Sequence, residues 1–170
     1  LLLYITFRPL FKHKEKEVTP VHPIISSIKP ELIQPYKRIA IAVDFSTSDH
    51  FNISNALAQG GKTADYVLIH IVESAGALFM KNEIGDYEFM TDVSNLNNYA
   101  DELNATGYSV TIKIGYGNPK KSIPALVKEY NADLLVMGAH GHKGLKDFIF
   151  GTTVDAVRHG IDIPLLIVRK

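Results

Sequence analysis

One hundred and seventy residues, 46% of them apolar and 21% charged, suffice for one globular domain with chain to spare, and eight phenylalanines with eight tyrosines exclude wholesale disorder. Lysine plus arginine and aspartate plus glutamate each total 18, so the formal charge is zero, which argues against a protein whose main work is coating nucleic acid. The lack of cysteine excludes a disulfide framework, a thiolate zinc site and a cysteine nucleophile, and it fits a reducing compartment.

The chain begins Leu1-Leu2-Leu3-Tyr4-Ile5-Thr6-Phe7, without methionine, and Arg8, Lys12, His13, Lys14 and Lys16 follow. Such a run falls short of the roughly 20 apolar residues that cross a bilayer. It suits the last turns of a transmembrane helix with basic residues just inside the cytoplasm. A secretory signal fits poorly, because its charges precede the apolar run. Residues 1–17 are therefore expected to be the end of a membrane helix, with a loose apolar arm as the alternative. Five of the eight prolines fall at Pro9, Pro20, Pro23, Pro30 and Pro35. Proline donates no backbone hydrogen bond, so residues 18–36 read as an extended linker. The first 36 residues carry five basic and three acidic side chains, which leaves the remainder mildly acidic.

From residue 37 onward strands alternate with helices. Ile39 to Val43 is a continuous apolar run, as buried parallel strands are. Ser46-Thr47-Ser48 offers helix caps and Gly60-Gly61 a helix stop. Tyr66 to Val72 is the second strand. Helical spacing from about residue 87 to 105 runs through Phe89, Val93, Leu96 and Leu103, closed by Gly107. Tyr108 to Ile114 alternates as a third strand, Asn118-Pro119 opens a turn, and Ser122 with Pro124 marks a helix that buries Leu126, Val127 and Tyr130. Asp133 to Met137 is the fourth strand, Thr152 to His159 a helix capped by Gly160, and Pro164 to Val168 the fifth strand. Single helices between strands imply right-handed crossovers. The expected fold is an α/β, Rossmann-like domain over 37–170: a five-stranded doubly wound parallel sheet, order 3-2-1-4-5, with helices on both faces.

Such a sheet binds ligands beyond its strand carboxyl ends, where the winding reverses. Asp44-Phe45-Ser46 follows strand one, and Gly138-Ala139-His140-Gly141-His142-Lys143-Gly144 follows strand four, so both should face one crevice. Three glycines in that stretch, with Gly151-Thr152-Thr153 at a helix start, make an anion cradle. Glycine lets a phosphate approach bare backbone N–H groups, and a helix amino end adds unpaired donors and about half a positive charge. Lys143 and Lys146 supply mobile positive charge. There is no G-x-x-x-x-G-K-[ST] Walker loop, and Gly115 to Lys120 lacks the third glycine of a dinucleotide fingerprint. Neither a G-x-S-x-G elbow nor H-E-x-x-H is present, which weakens hydrolase and metalloprotease readings. His140 and His142 have the spacing of a metal pair, yet without a third local ligand no metal site is expected. His70 reads as a satisfied core histidine, and Ser46 as a cap with no base beside it.

Gly138, two residues, Gly141, nine residues and Gly151-Thr152 reproduce the G-x2-G-x9-G-[ST] spacing of the ATP-binding branch of the universal stress proteins, and the chain resembles that family over about 37–170. Val43-Asp44-Phe45-Ser46, His70-Ile71, Gly117-Asn118-Pro119 and Asp133 to Gly138 are similar as well. The resemblance implies that Asp44, with Phe45 and Ser46 beside it, lies at the ribose and adenine pocket and that the Ile71 backbone contacts adenine. It also implies that Gly138, Gly141, Gly151, Thr152 and Thr153 hold the phosphates, with Met137, His140, His142 and Lys143 in the same loop. His142 departs from the basic residue common at its position, which leaves charge compensation to Lys143. ATP is the implied cofactor, with Mg2+ accompanying its phosphates and no residue assigned as a metal ligand. Family members usually dimerise, often through the final strand, here Pro164 to Val168, and some form cytoplasmic tails of membrane transporters, metal-ion carriers among them. The expected function is an ATP-binding regulatory or stress-response domain, with no catalytic residue evident. It is expected to be cytoplasmic, tethered to the inner face of the membrane and controlling a fused transporter. The alternatives are a slow ATPase or phosphotransferase and a nucleotide-free dimerisation module.

Overall fold

The computed structural model describes residues 35–73, 83–139 and 152–169, the first six residues of the second range by backbone alone. Their strands and helices alternate: β1 (Arg38–Ala42), α1 (Asp49–Gly60), β2 (Asp65–Val72), α2 (Glu83–Ala105), β3 (Ser109–Tyr116), α3 (Pro119–Tyr130), β4 (Leu134–Gly138), α4 (Thr152–Gly160) and β5 (Leu165–Val168). All four strand pairings are parallel, in the order β3-β2-β1-β4-β5. The five-stranded doubly wound architecture read from the sequence is the one observed. Among the described residues no helix is long and apolar enough to cross a membrane.

The period of two along each strand divides the core. Ile39 and Ile41 of β1, with Tyr66 and Leu68 of β2, point to the face covered by α1 through Ile53 and Ala56 and by α2 through Leu96 and Ala100. Ala40, Val67, Ile69, Leu135 and Met137 point to the other face, covered by α3 through Ile123 and Val127 and by α4 through Val154 and Val157. Ile39, Ala40 and Ile41 are all fully buried, as the central strand of a sheet covered on both sides must be. Burying one such isoleucine contributes about 1.5–3 kcal/mol.

Element ends differ from the sequence reading in instructive places. α3 begins at Pro119, not at Ser122. Asn118 is its cap and accepts the Lys120 N–H through Oδ1 at 3.0 Å, with Pro119 in the first turn, where its missing N–H costs nothing. Pro124, read as a start signal, lies inside the helix. There it packs on α4, where a Cβ added to Gly160 would meet its Cγ at 3.0 Å. Gly160 is thus small because a helix crosses it closely. α2 begins four residues before the apolar period becomes visible, at Glu83. At the end of α1 the paired glycines have separate reasons. Gly61 takes φ 61, while a Cβ on Gly60 would meet the Ala64 Cβ at 2.6 Å and the Ile39 Cδ1 at 2.7 Å.

Overpacking at that contact is expected to cost about 1–3 kcal/mol, so Gly60→Ala should lower the urea midpoint of unfolding by the corresponding amount. Asn118→Ala should cost about 1 kcal/mol in the same measurement through loss of its cap.

Candidate nucleotide-binding crevice

β1 and β4 are neighbours at the centre of the sheet, with Ile39 opposite Leu134 and Ile41 opposite Val136. That register brings the residues following the two strands, Asp44 to Ser46 and Gly138-Ala139, out at the same end of the sheet. The first helix of one half and the last helix of the other cover opposite faces there, which opens the crevice. Gly138 closes the β4–β5 ladder opposite Val168, and the Ala139 N–H continues it to the Val168 carbonyl at 2.8 Å.

The β1–α1 turn is a dense knot of short hydrogen bonds. Asp44 Oδ1 accepts the Ser46 N–H at 3.2 Å, Ser46 Oγ accepts the Ser48 N–H at 3.3 Å, and the Ser46 carbonyl accepts the Asp49 N–H at 3.1 Å. Ser48, the residue preceding α1, makes no side-chain cap, so the serine cluster shapes the turn and does not cap the helix. Phe45 has φ 58, a left-handed conformation that costs a non-glycine residue roughly 1–2 kcal/mol. Its ring offsets this by packing against His70 at 4.5 Å and Tyr99 at 6.1 Å between ring centroids. The Phe45 side chain therefore belongs to the wall of the crevice.

His70 has an oxygen at each ring nitrogen: the Val43 carbonyl 3.0 Å from Nδ1 and Asp92 Oδ2 3.3 Å from Nε2. It ties β2 to the end of β1 and to α2. Ile71 follows on β2 opposite Gly115 of β3, where a Cβ would lie 2.5 Å from the Ile71 Cδ1. Glycine at 115 makes room for the Ile71 side chain, which packs with the α3 and α4 core. The Met137 side chain is buried in that core too, so only its backbone is free to line a crevice. Thr152 and Thr153 stand at the start of α4, exposed and half-buried. His140, Gly141, His142, Lys143 and Gly151 lie outside the described residues.

Asp49 is the residue that sequence reasoning missed. The residue is 1% exposed, its Oδ2 accepts the Phe45 N–H at 2.7 Å, and its Oδ1 faces the Asp44 N–H at 3.4 Å. Burial first, and then the charge of Asp44 beside it, push its pKa from the ordinary 3.8 to about 7. Burial likewise raises the Tyr99 phenol, and the Asp49 and Asp44 charges add to that shift. In the sequence Asp49 is an acidic residue in a first helical turn, a pattern that points outward to the helix dipole. Only the tertiary fold puts it under the turn. Asn52, one turn further along the same helix, is buried with its Oδ1 unpaired.

Residues 35–169 match the model of the universal stress protein family. The chain belongs to that family. The universal stress protein MJ0577 of Methanocaldococcus jannaschii is 22% identical over 155 residues, 79% of this chain and 96% of its own. Its solved structure superimposes with a TM-score of 0.71 at 23% identity, over 81% of this chain and 98% of that one. A universal stress protein in complex with cAMP gives a TM-score of 0.60 at 20% identity, over 80% of this chain and 98% of its own. The Archaeoglobus fulgidus universal stress protein in complex with dAMP gives 0.58 at 16% identity, over 79% and 98%.

Because native Asp49 binds its proton more tightly than the unfolded chain does, this group's contribution to stability is fully present below about pH 4. It is lost as pH rises through about 7. Asp49→Asn, which has no proton to lose, should therefore gain on the wild type between pH 5 and 8 in urea denaturation, and an advantage that did not grow with pH would contradict the assignment.

Proposed function

We propose that this chain is an adenine-nucleotide-binding regulatory domain, with ATP as its ligand. The observation that carries the reading is the convergence of the β1–α1 turn and Gly138 at one end of the sheet, Gly138 being the first glycine of the long-spaced loop. The cAMP and dAMP complexes of two structural neighbours support an adenine nucleotide as the ligand. In this reading the half-buried Asp44 accepts a ribose hydroxyl, and the backbones around Phe45, Ser46 and Ile71 border the sugar and base. Gly138, Gly141 and Gly151 leave backbone N–H groups bare for the phosphates, and Met137 contributes its main chain. Thr152 and Thr153 add hydroxyl donors at the α4 amino end, while His140, His142 and Lys143 complete the loop in sequence. Mg2+ accompanies the ATP phosphates, with no protein ligand proposed for it.

The domain pairs with a second copy through β5 in this proposal. Leu165 to Val168 form an edge strand of four aliphatic residues, each only half-buried, and an open apolar edge of that kind is a template for pairing. We further infer a cytoplasmic position beneath a membrane and control of a fused transporter, on the support of the apolar, basic and proline-rich residues 1–36. Coding sequence upstream of Leu1 that encodes hydrophobic spans would bear this out, and an initiator there without such spans would overturn it.

Titration calorimetry with ATP and Mg2+ should show saturable binding, and Gly141→Val should abolish it by placing a branched side chain where phosphate approaches. Asp44→Ala should weaken it about tenfold, the equivalent of about 1.4 kcal/mol. No heat up to millimolar ATP would refute the proposal. Light scattering should give the mass of a dimer, and Ile167→Glu should give a monomer.

A further inference from the structure

Asp49 sits where a charge is poorly accommodated, yet it holds the turn on which the crevice depends. Its two oxygens take the N–H groups of Asp44 and Phe45, the residue that contributes a ribose acceptor and the residue held at positive φ. Burial first, and then the charge of Asp44 beside it, hold a proton on the Asp49 carboxyl group. We propose that Asp49 is the positioning residue of the nucleotide crevice, and that the proton on its buried carboxyl group makes affinity for adenine nucleotides depend on pH. The inference rests on the adenine-nucleotide reading above.

The surroundings favour one arrangement of that proton. Asp49 is almost completely buried and Asp44 is only half-buried, so the proton stays on Asp49, while water and ligand can reach Asp44. Among the described residues, the groups that face the pair are the Tyr99 phenol of α2 and, past the Phe45 ring, the His70–Asp92 couple. β4 and β5 bring no titratable side chain, and among the described residues no lysine or arginine forms an ion pair with Asp44 or Asp49. Loss of that proton leaves two adjacent carboxylates, neither paired with a cation among the described residues. Their repulsion drives Asp44 off the oxygen that holds its N–H, and the added negative charge opposes a phosphate-bearing ligand. Affinity therefore falls as pH rises.

The test uses the full chain and cAMP, whose single negative charge is constant across the range, so that any pH dependence belongs to the protein. Wild-type affinity should fall about tenfold between about pH 6 and about pH 8. Asp49→Asn keeps an acceptor for the Phe45 N–H and gives Asp44 a permanent donor. It should bind as the wild type does at pH 6 and remain flat to pH 8, while Asp49→Ala should bind weakly throughout. Parallel pH profiles for wild type and Asp49→Asn would overturn this inference and leave nucleotide binding intact. Wild-type protein that binds neither cAMP nor ATP at any pH would overturn the proposed function, and the coupling with it. Carboxyl 13C shifts of the unliganded wild type give a reading independent of any variant's folding. Asp49 titrating near neutrality is the expected result, and Asp49 titrating as an ordinary carboxylate would refute the inference.

Discussion

The fold hangs on the complete burial of β1. With Ile39 and Ile41 turned to one layer of helices and Ala40 to the other, this strand can lie only between two partners, and β2 and β4 are those partners. Once it is central, the winding must reverse beside it, and the ends of β1 and β4 must open into the same crevice. The emergence of Asp44 at the same end of the sheet as Gly138 and Ala139 follows from where the apolar residues are. No separate interaction has to bring the two halves of the site together. The alanines at 40 and 42 matter for the same reason, since the α3 and α4 layer packs onto small side chains at the sheet centre and larger ones from Val67, Ile69 and Leu135 around them.

A crevice fixed by a rigid sheet still needs its loops held in uncommon conformations. The β1–α1 turn achieves this by stacking Phe45 on His70 and by spending the Asp49 carboxyl on backbone N–H groups. A buried carboxyl group beside another is costly at neutral pH, and its retention under a strained turn fits the general tendency of functional sites to hold strain that the surrounding fold stabilises. His70 links the same knot to α2 through Asp92, so the helix that covers one face is bonded to the wall of the crevice.

The sheet order, both helical layers and the emergence of the β1 and β4 loops at one end of the sheet were legible in the sequence because they depend on the period of apolar residues, which is local and repeated. The universal stress protein resemblance was legible too, carried by glycine spacing. The start of α3 was misread because a proline is as compatible with an interior position packed on a glycine as with a first turn, and only Gly160 on the neighbouring helix distinguishes the two. Asp49 was invisible for a related reason. Its sequence neighbours describe a helix start, while its burial arises from Phe45, Tyr99 and the strands beneath. Met137 is the converse case: counted with the loop on sequence position, it sends its side chain into the core.

At the opposite end of the sheet, the Asp133 carboxylate accepts the N–H groups of both Lys37 and Arg38, while the Lys37 and Arg38 carbonyls accept the Asp65 and Asp133 N–H groups. The chain thus joins its central strand through four hydrogen bonds at adjacent residues, running across the strand axis. Tension applied at Tyr36 along that axis would load these bonds together, in shear, where a peripheral strand would peel one bond at a time. The chain enters the domain at its central strand, and a pull there would be felt along β1 by the turn that carries Asp44.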